Sequence, residues 1–139
     1  MSLPFHSTLY VYCNDIAAVQ KFYTEIIGMD EVYYDAGQGA LTYNSGGLYI
    51  VFMKATSLRP ENDQWAKNPG YKGSGEDESP SWVITVPAAV FDTIHQRLKD
   101  ADAPLLDDVQ EPQPGHRQIL TRDPMGMSIE IYAAPENGT

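Results

Sequence analysis

The chain repeats itself. Gly47-Leu48-Tyr49-Ile50-Val51-Phe52 lies over Gly126-Met127-Ser128-Ile129-Glu130-Ile131, and Thr8 through Val11 lies over Ser81 through Ile84. The two offsets differ by a few residues, so the slack falls in the loops and the order of elements is kept. A supersecondary unit that recurs in one chain marks a fold built by duplication.

Each copy reads as the same unit. Leu9 to Cys13 is aromatic and β-branched and ends at Asn14-Asp15, as a strand feeding a helix cap does. Apolar residues then recur at Ile16, Val19, Phe22, Tyr23, Ile26 and Ile27, a helical stripe closed by Gly28. Strand-like segments follow at 31–35, 40–43 and 48–53, separated by glycines. In the second half, Trp82 to Val86 reads as a strand and Pro87 opens a helix in its first turn. Val90, Phe91, Ile94, Leu98 and Ala101 form its stripe, and Pro104 stops it. Strands near 105–109, 117–122 and 128–132 complete the set, with Asp123-Pro124-Met125-Gly126 as the last turn. The order is βαβββ twice, an α+β chain of modules at about 5–56 and 80–135 within one domain over 1–139. Loop 57–79 is rich in Gly, Pro, Asn, Ser and charge, and its composition reads as a mobile segment serving as linker or lid.

Composition narrows the classes of function. A length of 139 residues is enough to bury a core without staples. The formal charge of -10 repels phosphate backbones and anionic lipid, which argues against nucleic acid or membrane as partner. Cys13 is the single cysteine, so no intrachain disulfide or Cys-rich metal motif exists, and a cytoplasmic setting is expected. Cys13 itself reads as a buried, inert thiol and His95 as a boundary residue of the second helix. The N-terminus lacks a basic region followed by an apolar stretch, and the longest apolar run, 48–53, is far too short to span a bilayer.

Two motifs carry a resemblance. A strand entering Asp15-Ile16, then Phe22-Tyr23 and Ile27-Gly28-Met29, is similar to the Phe-Tyr and Leu-Gly-Phe signature of the vicinal-oxygen-chelate superfamily, which includes glyoxalases, bleomycin-resistance proteins and extradiol dioxygenases. The segment from Arg122 to Ile131 resembles that superfamily's closing Asp-Pro-Asp-Gly-Asn-x-Ile-Glu-Leu pattern. The resemblance implies two βαβββ modules whose curled mixed sheets surround a concave cavity, a small-molecule ligand bound there, and a homodimer.

Strand alternation then selects faces. If Leu9, Val11 and Cys13 pack under the first helix, Thr8, Tyr10 and Tyr12 face the cavity, together with Tyr49 and Val51. By the repeat, Ser81, Val83 and Thr85 face the second cavity wall, with Ser128, Glu130 and Tyr132 beside them. Aromatic walls with polar tips suit planar or amphipathic small molecules. Trp65 and Tyr71, in the central loop, could close over a ligand or meet a dimer partner.

The metal-ligand positions that the resemblance implies fall on Thr8, Val51, Ser81 and Glu130. Two hydroxyls, a valine and one carboxylate do not fix a catalytic cation, so no metal or other cofactor is expected there. A displaced set, His6 and His116 with Glu130, would leave room for a divalent metal. Glu130 has three readings: a ligand anchor, a catalytic base on a carbon acid, or a sheet residue paired with Arg117 or Arg122. Three functions follow: a metal-free binding protein, a glyoxalase-like lyase or isomerase or extradiol-type dioxygenase, or an interaction module that has lost its pocket. The first is the one the ligand-poor site favours.

Overall fold

The computed structural model describes residues 6–68 and 75–135. The chain divides into two compact units between Pro60 and Glu61. The central loop is thus not a neutral spacer, because its residues from Glu61 onward belong to the second unit.

In the first unit, β1 (Ser7–Cys13) leads into α1 (Ile16–Gln20), which runs on as a π-helical stretch, Lys21–Ile27. β2 (Glu31–Asp35), β3 (Ala40–Ser45) and β4 (Leu48–Lys54) follow. Asp15 caps the helix by accepting from the Ala18 amide at 3.1 Å. Gly28 ends it in the left-handed region at φ 90°, where a Cβ would clash with the backbone. The four strands form one mixed sheet in the order β1-β4-β3-β2, with β1 parallel to β4. Val19, Phe22, Tyr23 and Ile27 of the helix are buried, as are Leu41, Tyr43, Ile50 and Phe52 of the sheet. Tyr23 is the hub, stacked on Phe52 at 5.0 Å and tilted against Tyr43 at 5.9 Å between ring centroids. Each such side chain removed from water contributes roughly 1.5–3 kcal/mol.

The second unit repeats the plan: β5 (Trp82–Thr85), α2 (Ala88–Asp100), β6 (Leu105–Gln113), β7 (His116–Arg122) and β8 (Ser128–Ala133). Its sheet has the matching order β5-β8-β7-β6. Pro87 sits one position earlier than its first-turn assignment, as the N-cap in extended conformation. Phe91, Ile94 and Leu98 are buried, and so are Ile119, Ile129 and Ile131. Arg117, on the same side of β7 as Ile119, pairs with Asp92 of α2 at 2.6 Å and lies 4.5 Å over the Phe91 ring, which identifies this face as the helix side.

The repeat holds at the level of register. Leu9 pairs with Ile50 in the first sheet and Trp82 with Ile129 in the second, the same two positions of the aligned copies. Both modules are α+β with the expected βαβββ order. Leu9, assigned to the helix side, is 46% exposed because β1 is an edge strand.

Candidate functional site

Alternation along the strands separates a helix face from an open face in each sheet. In the first unit, Thr8 is paired with Tyr49 and Tyr10 with Val51, so the expected lining residues Thr8, Tyr10, Tyr12, Tyr49 and Val51 do share one face. Thr8, Tyr10 and Tyr12 are exposed there and Tyr49 and Val51 half-buried. Tyr43, also on a strand, faces the helix instead and is fully buried. Its hydroxyl hydrogen-bonds with that of Thr24 at 2.7 Å, and burial raises its pKa to about 12.

In the second unit Glu130 lies opposite Val83 on β5 and Leu120 on β7, and Tyr132 lies opposite Gln118. Ser128, Glu130 and Tyr132 therefore line the face turned away from α2, with Val83 among them. Val83 is half exposed, whereas Ser128 and Glu130 are buried. The cover comes from the central loop. The Ala66 amide donates to Ser128 Oγ at 2.8 Å. The Asn68 side chain, itself buried, donates through Nδ2 to Glu130 Oε1 at 2.5 Å and accepts from Ser81 Oγ at 2.6 Å. Asn68 thus joins the two positions of this unit that the resemblance marks as metal-ligating.

Residues 62–68 form a strap anchored along its length. The Asn62 amide donates to the Met125 carbonyl at 3.1 Å, and the Lys67 amide to that of Asp77 at 2.6 Å. The Asn62 side chain reaches Asp77 and Ser79. That network lowers the Asp77 pKa, with the Ser79 hydroxyl the largest contributor. Trp65 lies under the Arg122 guanidinium, 4.8 Å from ring centroid to Cζ. Two glycines admit the strap: a Cβ on Gly75 would fall 1.9 Å from the Trp65 carbonyl oxygen, and one on Gly126 would meet Asn62. Tyr71 lies outside the described residues.

These contacts correct one reading of Glu130. Neither arginine holds it, because Arg117 is on the helix side with Asp92 and Arg122 is stacked on Trp65. Burial raises the Glu130 pKa, and the Asn68 hydrogen bond opposes part of that shift. His116, of the displaced ligand set, engages the Tyr132 hydroxyl through Nδ1. Among the described residues, no three His, Cys, Asp or Glu side chains are grouped so as to hold a metal ion. The four implied positions, with a single carboxylate among them, do not fit a catalytic cation on donor chemistry alone. Nor is any described helix long and apolar enough to cross a membrane.

Asn68 is the site residue that sequence reasoning missed. Nothing periodic marks it, since it sits in a Gly/Pro-rich loop and its partner Glu130 is 62 positions away.

Two βαβββ units, each with a helix on one sheet face and polar and aromatic side chains on the other, define the vicinal-oxygen-chelate class of fold. The chain belongs to the Glyoxalase/Bleomycin resistance protein/Dioxygenase superfamily, whose model matches residues 5–131. Solved structures agree in fold. A glyoxalase/dioxygenase from Nostoc punctiforme is 17% identical, with 93% of this chain and 90% of that one covered at a TM-score of 0.70. The oxidase ChaP-H2 is 16% identical over 97% and 96% of the chains at a TM-score of 0.67. A mutant of the fosfomycin resistance protein FosX from Listeria monocytogenes, complexed with Mn(II) and 1S,2S-dihydroxypropylphosphonic acid, is 19% identical over 99% and 94% at a TM-score of 0.59. No curated protein matches the sequence.

Proposed function

We propose that this chain is a small-molecule-binding protein of the glyoxalase/bleomycin-resistance type that holds its ligand without a catalytic metal, in the cytoplasm and as a homodimer. The observation that carries the reading is the environment of Glu130. The one carboxylate at the implied metal positions is bonded to a loop carboxamide, and the other three positions, Thr8, Val51 and Ser81, offer two protonated hydroxyls and an aliphatic side chain. Such a set grips a cation poorly and suits hydrogen bonding to a neutral or cationic organic group. Aromatic residues on the same faces supply stacking surface. The net charge of -10 disfavours nucleic acid and anionic lipid and favours neutral or cationic ligands.

A glyoxalase-like lyase or isomerase, or an extradiol-type dioxygenase, is the second reading. One observation favours it: the Glu130 pKa is raised by burial, and a carboxylate shifted in that direction is a stronger base toward a carbon acid.

The test is thermal denaturation of the metal-stripped protein with Ni, Zn, Mn or Fe(II). The binding-protein reading expects an unchanged Tm. A rise of several degrees with any of these ions, at concentrations well above a micromolar Kd, overturns it, because a ligand specific to the native state stabilises by mass action.

A further inference from the structure

Resting on the reading that the open face of the second unit binds an organic molecule, we propose that the strap 62–68 is an internal occupant of that face, and that the Asn68 side chain holds the place of a primary carboxamide carried by the ligand. The hydrogen bonds around Asn68 define that chemistry. An ionised carboxylate only accepts, so Glu130 requires an N–H donor. Ser81 donates its hydroxyl to the Asn68 carbonyl oxygen, the two oxygens 2.6 Å apart. The two are met at once by a single planar group bearing both functions. A carboxylate would meet Glu130 with like charge, and an ammonium would oblige Ser81 to accept where it now donates, so a carboxamide alone reproduces both hydrogen bonds in their observed directions. Ser128 extends the pattern by accepting a second amide N–H, that of Ala66.

Competition is built into the seat of the strap. Its outer end is tied at Asn62 to Met125, Asp77 and Ser79, and its inner end carries the Lys67–Asp77 backbone bond beside these side-chain hydrogen bonds and the Trp65–Arg122 stack. An incoming carboxamide takes the place of Asn68 at Glu130 and Ser81. The outer anchors keep the displaced strap tethered nearby. Ligand affinity is then reduced by the fraction of molecules in which the strap occupies the face.

The experiment is chemical complementation with acetamide, which matches the side chain that Asn68→Gly removes. Acetamide at up to about 100 mM is expected to raise the Tm of N68G by several degrees more than that of the wild type, while acetate does not. Benzamide, followed by isothermal titration, is expected to bind N68G at least tenfold more tightly than the wild type. Should N68G not fold, N68S is titrated in its place. In the wild type, saturating benzamide is expected to speed hydrogen exchange of the Ala66 amide as that N–H leaves Ser128. Equal responses of variant and wild type to acetamide, equal responses to acetamide and acetate, or an Ala66 amide that exchanges no faster with benzamide each overturn the proposal. These outcomes are independent of the metal titration, so the carboxamide assignment can fail while the metal-free reading stands, and the reverse.

Discussion

The carbonyl oxygen of Asn62 approaches Gly126 so closely that a Cβ on residue 126 would fall 1.7 Å from it. Gly126 closes the turn in which the buried Asp123 accepts from the Met125 and Met127 amides, at 2.9 and 3.0 Å, and it adopts φ +83°. The Asp-Pro-Met-Gly motif therefore has two duties: it reverses the chain before β8 and it receives the strap.

Replacing Gly126 by Ala should separate those duties. The left-handed conformation alone costs about 1–2 kcal/mol for a residue with a Cβ. Gly46, at φ +59° with nothing within 4 Å of where a Cβ would lie, measures that cost by itself. Urea unfolding of G126A is expected to show a larger loss than that of G46A, with faster hydrogen exchange at the Ala66 amide. Equal losses for the two variants would mean that the strap gives way without cost.

Glu130→Gln tests the buried carboxylate. Burial raises the folded-state pKa above the ordinary 4.5, so the folded protein binds the proton more tightly than the unfolded chain. The stabilising contribution is complete below about pH 4.5 and is lost as pH rises through the folded value. Gln stays neutral throughout and still accepts from Asn68. The Tm of E130Q minus that of the wild type should therefore become more positive as pH rises above about 4.5. A difference that is flat with pH would place the carboxylate in water.

Tyr43→Phe should cost about 1 kcal/mol, the net worth of one hydrogen bond, since the Thr24 hydroxyl also reaches Glu31 at 2.9 Å. The wild type should also lose stability between about pH 10 and 12, because the Tyr43 hydroxyl is held neutral up to about 12 in the fold and ionises near 10 when unfolded. Y43F is expected to lose less over that window, measured as Tm against pH. Identical slopes would show that Tyr43 ionises freely in the native state.

The proposed homodimer has a surface that can be tested. Tyr10 and Tyr12 are 63% and 52% exposed on β1, at the edge of its sheet, where aromatic side chains on an edge strand invite a partner. Sedimentation equilibrium of the wild type at tens of micromolar should give a dimer, and the double variant Y10S/Y12S should dissociate at least tenfold more readily. A wild-type monomer at that concentration rejects the homodimer, and a double variant that dimerises equally well moves the contact elsewhere.

Most of the fold, and the strand face that carries Ser128, Glu130 and Tyr132, is legible in the sequence for one reason. Helix and strand periodicity are local, so the stripe through Val19, Phe22 and Tyr23 and the alternation of Ser128, Ile129, Glu130 and Ile131 already state which residues turn inward, and the repeat fixes the second register from the first. The π-helical stretch after Gln20 left no such trace, since Val19, Phe22, Tyr23 and Ile27 fall at spacings that also suit an α-helix.

Residue order thus determined two βαβββ modules and the faces of their strands, while the positions Thr8, Val51, Ser81 and Glu130, poor in metal donors, were implied by the family resemblance. Tertiary structure decided what Glu130 touches. A loop whose composition suggested only flexibility lays Ala66 and Asn68 across the second sheet, and those contacts join residues 62 positions apart. No local pattern encodes such a contact. It exists because buried polar groups must find partners, and once the chain is compact the nearest partner in space need not be near in sequence.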